Sequence, residues 1–317
     1  MNENRTPPPL VDVSFLFNQY TQKQVSIRFH PKVYSIEHDV EANWVWHAFE
    51  GMARLRSKLE SEGRMPESFA AIGTGTGVDA IGAGLIFPGL KTIAVTDIEP
   101  GVLAQGLENV RRNVSATTTV NGFAGDLCNP LYVLPQRFDL IYANLPNLPV
   151  APERGGAIDY NTCYAERGDL EMDPKLDAYL LGFQHLFLRS AMRVLKEKGS
   201  VLLMIGGRFP FNIFKRLADS SGYVFEELLC SFRLETDLAT TIDAYAAHEG
   251  DIEFDYYLYD ESKSALDGKA GLSGEELKEL LTPHRVSAAS ARSAGQSGKR
   301  IGHTLHMLRA MPASALR

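Results

Sequence analysis

The chain is poor in the features that would tie it to a membrane, an oxidising compartment or a nucleic-acid backbone. It has three cysteines in 317 residues, Cys128, Cys163 and Cys230, far apart and without metal-ligand spacing. Neither a disulfide framework nor a thiolate metal site is expected, and a reduced, cytoplasmic protein is. A net charge of -7 lacks the basic excess that non-specific binding to nucleic acid requires. No apolar run is long enough to cross a bilayer, and the stretch from Met1 to Pro9 has no apolar export core. The histidines show no metal spacing either. His303 and His306 are three apart on a strand-like run, which puts them on opposite faces, so no shared metal is expected. These absences point to small-molecule chemistry, without nucleic acid, membrane or metal. No internal repeat is present, and no pattern specifies an oligomeric state.

Hydrophobic residues make up 44% of the chain, enough for a substantial core. Residues 1 to 65 read as an N-terminal helical cap, with helices expected at Val11–Tyr20 and Glu41–Glu60; Val40, Trp44, His47, Phe49 and Leu55 fall on helical repeats. From Ser68 the pattern becomes an alternation. Apolar runs at Phe69–Ile72, Thr92–Thr96, Thr119–Ala124, Phe138–Ala143 and Ser200–Ile205 are separated by helical stretches at Val78–Ile86, Gly101–Val114 and Ala178–Glu197. That rhythm predicts a parallel, doubly wound α/β sheet. Two runs, Val224–Leu234 and Ile252–Tyr259, suggest a closing antiparallel pair, with a helical stretch around Thr236–Ala247 between them. In the tail, Gly271–Leu281 reads as a helix, Ser287–Gly298 as a loop and Ile301–Met311 as a final strand-like run.

The most informative stretch is Phe69-Ala70-Ala71-Ile72-Gly73-Thr74-Gly75-Thr76-Gly77, an apolar strand that runs into three alternate glycines. Asp97 stands twenty residues past the last glycine, at the end of the next apolar run. A strand, a side-chain-free turn, a helix, a second strand and a carboxylate at its tip form a nucleotide-cofactor pocket. Gly75-Thr76-Gly77-Val78-Asp79-Ala80 also satisfies a dinucleotide pattern with Ala in its last place, which keeps NAD in contention. Two later features favour another cofactor. Gly125-Asp126-Leu127 follows the third strand, where a carboxylate or amide can reach an adenine. Asn144-Leu145-Pro146-Asn147 ends the fourth.

In these residues the chain resembles the class I S-adenosylmethionine (SAM)-dependent methyltransferases, in particular the amino-methyltransferase branch with an Asn-Pro-Pro-Tyr-type loop after the fourth strand. The resemblance covers residues 66 to 260 and implies a Rossmann-like, doubly wound sheet with an N-terminal helical extension. It divides the chain into a cap or lid (1–65), a SAM-binding catalytic domain (66–260) and a C-terminal extension (261–317). It implies SAM as cofactor, held by Gly73, Thr74, Gly75, Gly77, Asp97, Ile98, Asp126, Leu127 and Asn144. Asp97 would take the ribose diol and Asp126 the adenine. Asn144 and the next carbonyl would hold the nitrogen about to be alkylated, since an N–H pair needs two acceptors and a proline-stiffened carbonyl supplies the second without charge.

The sequence departs from that pattern at two places. The family's carboxylate two residues before the first glycine is Ala71 here, and the loop has Asn147 and Leu148 where a second proline and an aromatic are usual. Tyr160 and Tyr164, in the long polar segment Glu153–Asp173, are the expected source of a replacement ring at the catalytic site. Transfer of a methyl group to the nitrogen of a small molecule is the leading expectation. Without a carboxylate at position 71, the amine of SAM loses a partner that keeps it protonated. That opens a second expectation, intramolecular cyclisation to azetidine-2-carboxylate with release of methylthioadenosine, as in azetidine-2-carboxylate synthases. There a tyrosine face could stabilise the sulfonium by about 0.5–2 kcal/mol. Asp79 or Glu37 could compensate for the missing carboxylate. A non-catalytic SAM-binding protein is the third alternative, and an NAD-dependent dehydrogenase the last.

Overall fold

The computed structural model describes residues 8–33, 36, 38–39, 43–147, 172–236 and 241–316. The chain opens with a two-stranded ribbon, β1 (Val11–Asp12) with β2 (Ser26–Ile27), followed by α1 (Trp44–Ser61). An alternating segment comes next: β3 (Ser68–Ile72), α2 (Val78–Ile86), β4 (Thr92–Asp97), α3 (Pro100–Asn113), β5 (Thr119–Ala124) and β6 (Phe138–Ala143). It continues through α4 (Pro174–Ala178), α5 (Gly182–Ala191), β7 (Leu195–Gly206), α6 (Asn212–Ser221), β8 (Tyr223–Leu234) and α7 (Asp243–His248). The chain ends with β9 (Tyr256–Leu258), α8 (Tyr259–Leu266), α9 (Gly274–Leu281), β10 (Arg285–Val286), α10 (Ala288–Gln296) and β11 (Ile301–Pro312).

Five strands run parallel in the order β5-β4-β3-β6-β7. Antiparallel β11 then lies between β7 and β8, and β9 continues along the β7 side of β11, pairing Leu258 with Ile301. This is an α/β Rossmann-like, doubly wound fold of the class I methyltransferase type, and the parallel order is typical of that class. Alternation along β3 sorts the two helical layers. Phe69 and Ala71 face α1, α2 and α3, while Ala70 and Ile72 face the layer of α5, α6, α7 and α10. Each large apolar side chain buried in these layers contributes about 1.5–3 kcal/mol.

Helix α1 forms where expected because Val45, Ala48, Phe49, Met52, Leu55 and Leu59 recur on one face and are buried, and the Asn43 side chain accepts the Val45 N–H at 2.9 Å as N-cap. It packs on α2 so closely that a Cβ at Gly82 would meet the Phe49 ring. Helix α1 is therefore a layer of the core and not a detached lid. The helix expected at Val11–Tyr20 is instead β1 and a short 3-10 turn at Ser14–Leu16. Ser14 explains this locally: its N–H bonds the Asp12 carboxylate, and its hydroxyl accepts the Val25 N–H, which holds the chain in a hairpin.

Further expectations fail beyond β6. The antiparallel partner of β8 is β11, not Ile252–Tyr259, of which only Tyr256–Leu258 is strand. The segment 261–317 therefore supplies a strand paired on both sides within the sheet, and residue 260 marks no break in it. The expected loop at Ser287–Gly298 is mostly α10, capped by Ser287 accepting the Ser290 N–H. Its alanines favour helix and its small serines disguise it. The helix expected at Ala178–Glu197 stops at Ala191, since β7 already begins at Leu195.

Candidate functional site

The glycine loop and the tips of the parallel strands lie at one end of the sheet. Gly73, Gly75 and Gly77 all have positive φ, +66°, +52° and +80°, a region that side-chain-bearing residues rarely adopt. Gly77 is the N-cap of α2 and offers that helix no side-chain cap of its own, the Val78 N–H reaching only the Thr76 hydroxyl at 3.4 Å. A Cβ there would also come within 2.7 Å of the Gly106 carbonyl oxygen. The loop is tied down from three sides. The Thr74 N–H bonds the Thr96 carbonyl at 2.8 Å, the Gly75 N–H bonds Asp97 Oδ2 at 3.0 Å, and Asn109 Nδ2 donates to the Thr76 carbonyl at 2.9 Å. Asn109 is fully buried, and also donates to the Arg28 carbonyl and accepts the Arg28 N–H, so α3, the loop and the N-terminal segment are locked together. No sequence motif singled Asn109 out.

Asp97 has a double duty. Oδ2 holds Gly75, Oδ1 accepts the Glu99 N–H at 3.1 Å, and the Ile98 amide also favours the carboxylate, while burial pushes its pKa up. Each carboxylate oxygen can accept a second bond, so a diol can still be bound. Beyond β5, Gly125 donates to the Asp97 carbonyl at 3.0 Å. The turn continues through Asp126 and Leu127, the latter at φ +46°, with its carbonyl held by Thr96 Oγ1 at 3.2 Å. The residues expected to line a nucleoside, Asp97, Ile98, Asp126 and Leu127, therefore occupy adjoining strand tips.

The loop Asn144–Asn147 abuts the first glycine: a Cβ at Gly73 would lie 3.3 Å from Leu145 Cδ2. Asn144 is half-buried, and its side chain has no hydrogen bond among the described residues. The neighbouring Leu145 carbonyl, expected as the second acceptor, already receives a hydrogen bond from Gln184 Nε2 at 3.1 Å. That bond aims the carbonyl and uses one of its two lone pairs. The Asn147 carbonyl accepts from the Tyr245 hydroxyl at 2.7 Å, and the buried Nδ2 of Asn147 has no partner among the described residues. Gln184 and Tyr245 lie on helices far along the chain, so no local pattern revealed them. Tyr160 and Tyr164 lie outside the described residues, as do Glu37 and Cys163.

Ala71 is buried, beside Tyr142 in the β3–β6 register. The carboxylate on this face comes from the next helix. Asp79, in the first turn of α2, is 6% exposed, and burial pushes its pKa up to about 7, with the Tyr142 phenol acting the other way. Asp79 Oδ1 and the Tyr142 hydroxyl are both buried without a well-aligned partner.

A dense polar cluster surrounds the turn after β7. Arg208 Nη2 donates to Glu235 at 2.6 Å and to His303 Nε2 at 3.2 Å, and its guanidinium lies near the rings of Tyr245 and Tyr256. His303 and His306 do face opposite sides of β11, His303 towards Glu235 and His306 towards Glu227 and Thr304. No group of three or more potential metal ligands occurs among the described residues, and none of their helices is long and apolar enough to cross a membrane. The Cys128 thiol is buried and pushed up to about 12, which makes it a packing residue.

No known family profile matches the sequence, and no curated protein does. Solved structures do resemble it at low identity. A SAM-dependent methyltransferase from Agrobacterium tumefaciens is 13% identical, with a TM-score of 0.45 over 91% of this chain and 67% of that one. A precorrin-6y C5,15-methyltransferase from Geobacter metallireducens is 11% identical, with a TM-score of 0.41 over 89% and 100%. A ribosomal protein L11 methylase from Lactobacillus delbrueckii is 19% identical, with a TM-score of 0.40 over 65% and 78%. At these scores the fold assignment rests on the chain's own strand order.

Proposed function

We propose that this chain is a SAM-dependent transferase that methylates a nitrogen of a small molecule. The observation that carries this reading is the seam between the glycine loop and the Asn144 loop. Of three positive-φ glycines, Gly75 is pinned to the Asp97 carboxylate, and Gly73 lies so near the Asn144 loop that a Cβ there would be 3.3 Å from Leu145. The residues fit SAM. The open glycine backbone would pass its methionine end, Asp97 would accept from its ribose, and the Asp126–Leu127 turn would border its adenine. When bound, SAM supplies a sulfonium-activated methyl carbon with a good leaving group. The task left to the protein is alignment and water exclusion. Asn144 would orient the acceptor nitrogen through its side-chain oxygen, and the Leu145 carbonyl, aimed by Gln184, would receive the second N–H. An acceptor that arrives as a neutral amine needs no strong base.

Asp79 bears on the cyclisation alternative. In its ionised form, which burial disfavours below about pH 7, this carboxyl on the face of Ala71 would take up the role of the missing one and favour a charged amine, which disfavours attack by that amine. Calorimetric titration of the full chain with SAM and NADH, followed by product analysis with and without a panel of amines, tests the proposal. Acceptor-dependent S-adenosylhomocysteine is expected. Methylthioadenosine released without acceptor would replace methyl transfer by cyclisation, tight SAM binding with no turnover would leave a binding protein, and NADH binding without SAM binding would end the SAM reading. Asn144→Ala should lower turnover about 100-fold, as loss of a positioning contact does, with SAM affinity nearly unchanged, whereas Asp97→Ala should weaken SAM binding itself.

A further inference from the structure

The cluster after β7 contains more hydrogen-bond donors than acceptors. Arg233, at the end of β8, is 2% exposed, and neither Nη1 nor Nη2 has a hydrogen-bond partner among the described residues. It stands directly across the ladder from His303, which puts the two side chains on one face of the sheet. His303 accepts from Arg208 at Nε2, so as a neutral imidazole it carries its proton on Nδ1, and that atom too is buried without a well-aligned partner among the described residues, 3.5 Å from Glu235. Arg208 Nε is a third position without a well-aligned partner among the described residues, although the Tyr245 and Tyr256 hydroxyls lie close to this guanidinium. Buried Glu235 is the carboxylate bonded to this group, and its bond goes to Arg208. Glu235 and, from an exposed position, Asp39 favour the Arg233 charge against its burial without a hydrogen bond to Nη1 or Nη2, and His47, buried on α1 and pushed down to about 3 by burial and by Arg233, adds no charge.

A guanidinium removed from water without acceptors is among the costliest arrangements a fold can contain. Three sets of unpaired donors gathered at the strand end beside the Asn147 loop have a simple chemical complement. We infer that Arg233, with Arg208 Nε and the Nδ1–H of His303, binds an anionic oxygen group, a carboxylate or a phosphate, carried by a small molecule. A guanidinium fork matches two oxygens of either group. The turn that presents Arg208 is rigid: the Gly207 carbonyl accepts from Lys278 Nζ at 2.6 Å and from Thr304 Oγ1 at 3.1 Å. Tyr245 joins the two halves, with its hydroxyl on the Asn147 carbonyl and its ring beside Arg208. The further step, that the anion is the acceptor's own anchoring group, rests on the proposed transferase function; the anion site itself does not.

Thermal unfolding of the full chain in sodium phosphate and in sodium acetate, each matched in ionic strength with sodium chloride, tests the site. One of the two should raise Tm saturably at millimolar concentration, and which one does so separates phosphate from carboxylate. Arg233→Met should raise the Tm of the ligand-free protein by about 2–4 °C or more, because it removes an unpaired buried charge, and should abolish the anion-induced rise. A structural guanidinium would do the reverse and lower Tm when replaced. If Arg233→Met does not fold, Arg233 is structural and the inference is overturned; absence of a saturable shift in the wild-type protein overturns it independently. Parallel SAM titration keeps the two readings apart. Anion binding without SAM binding defeats the transferase proposal alone, and SAM binding without anion binding defeats this one.

Discussion

Two buried polar clusters flank the turn at Gly206–Arg208, and they differ in one respect. In the first, Asp255 binds Lys278 Nζ at 2.9 Å and Arg285 Nε at 2.6 Å, Lys278 also reaches the Gly207 carbonyl, and His306 bridges Glu227 and Thr304. In the second, around Arg208, Arg233 and His303, several donors have no well-aligned acceptor among the described residues. Both combine cationic side chains, a buried carboxylate and a histidine, though Arg285 of the first lies at the surface. The contrast teaches that buried charge does not by itself mark a functional site; buried charge left incomplete does. A fully matched network stiffens the scaffold, whereas an incomplete one costs stability that a ligand can restore.

The contrast can be broken most forcefully in the matched cluster. Asp255→Ala leaves Lys278 and Arg285 facing each other without their shared carboxylate, and should cost about 3–5 kcal/mol, read from the urea midpoint. A neutral result would mean that the matched cluster contributes no more than the open one. Asp79 offers a second comparison, a buried carboxyl outside both clusters. Its folded pKa is raised by burial to about 7 from the ordinary 3.8, so the folded state holds a proton that the unfolded state releases. Stability from this group is therefore present below pH 4 and lost as pH rises towards 7, after which the cost is constant. Asp79→Asn should remove that loss, and gain on the wild type by up to about 4 kcal/mol between pH 4 and pH 8. Denaturation at both pH values measures it, and parallel pH profiles would show Asp79 to be unperturbed. The smallest effect belongs to the surface. Lys215 and Asp219 form an exposed pair one helical turn apart, and Lys215→Ala should change stability by less than about 0.5 kcal/mol.

The reach of the sequence varied along the chain in a regular way. The strands from β3 to β6 and the helices α2 and α3 were legible because each is a local pattern: an apolar run, a glycine turn, an amphipathic repeat. The glycine loop and Asp97 were legible for the same reason, since a positive-φ turn and a strand-tip carboxylate are written within thirty residues of each other. The C-terminal third was misread where pairing is non-local. Nothing in Ile301–Met311 says that it will slip between β7 and β8, because strand propensity specifies that a segment extends and not which edge it joins. Val11–Tyr20 was misread because serine and aspartate side chains bonded the backbone in place of a helical ladder.

By itself, the sequence determined the alternating α/β architecture, the three-glycine turn, the carboxylate beyond it and the Asn144 loop, all of them consequences of backbone sterics and hydrophobic period. Tertiary structure alone decided how those parts are held: Asn109 behind the loop, Gln184 and Tyr245 on the Asn144–Asn147 backbone, and Asp79 on the face of Ala71. It also decided that Arg208, Arg233 and His303, up to 95 residues apart, meet with donors to spare. Hydrogen-bond satisfaction and desolvation depend on which groups the completed sheet brings together. No local stretch of the chain contains that information.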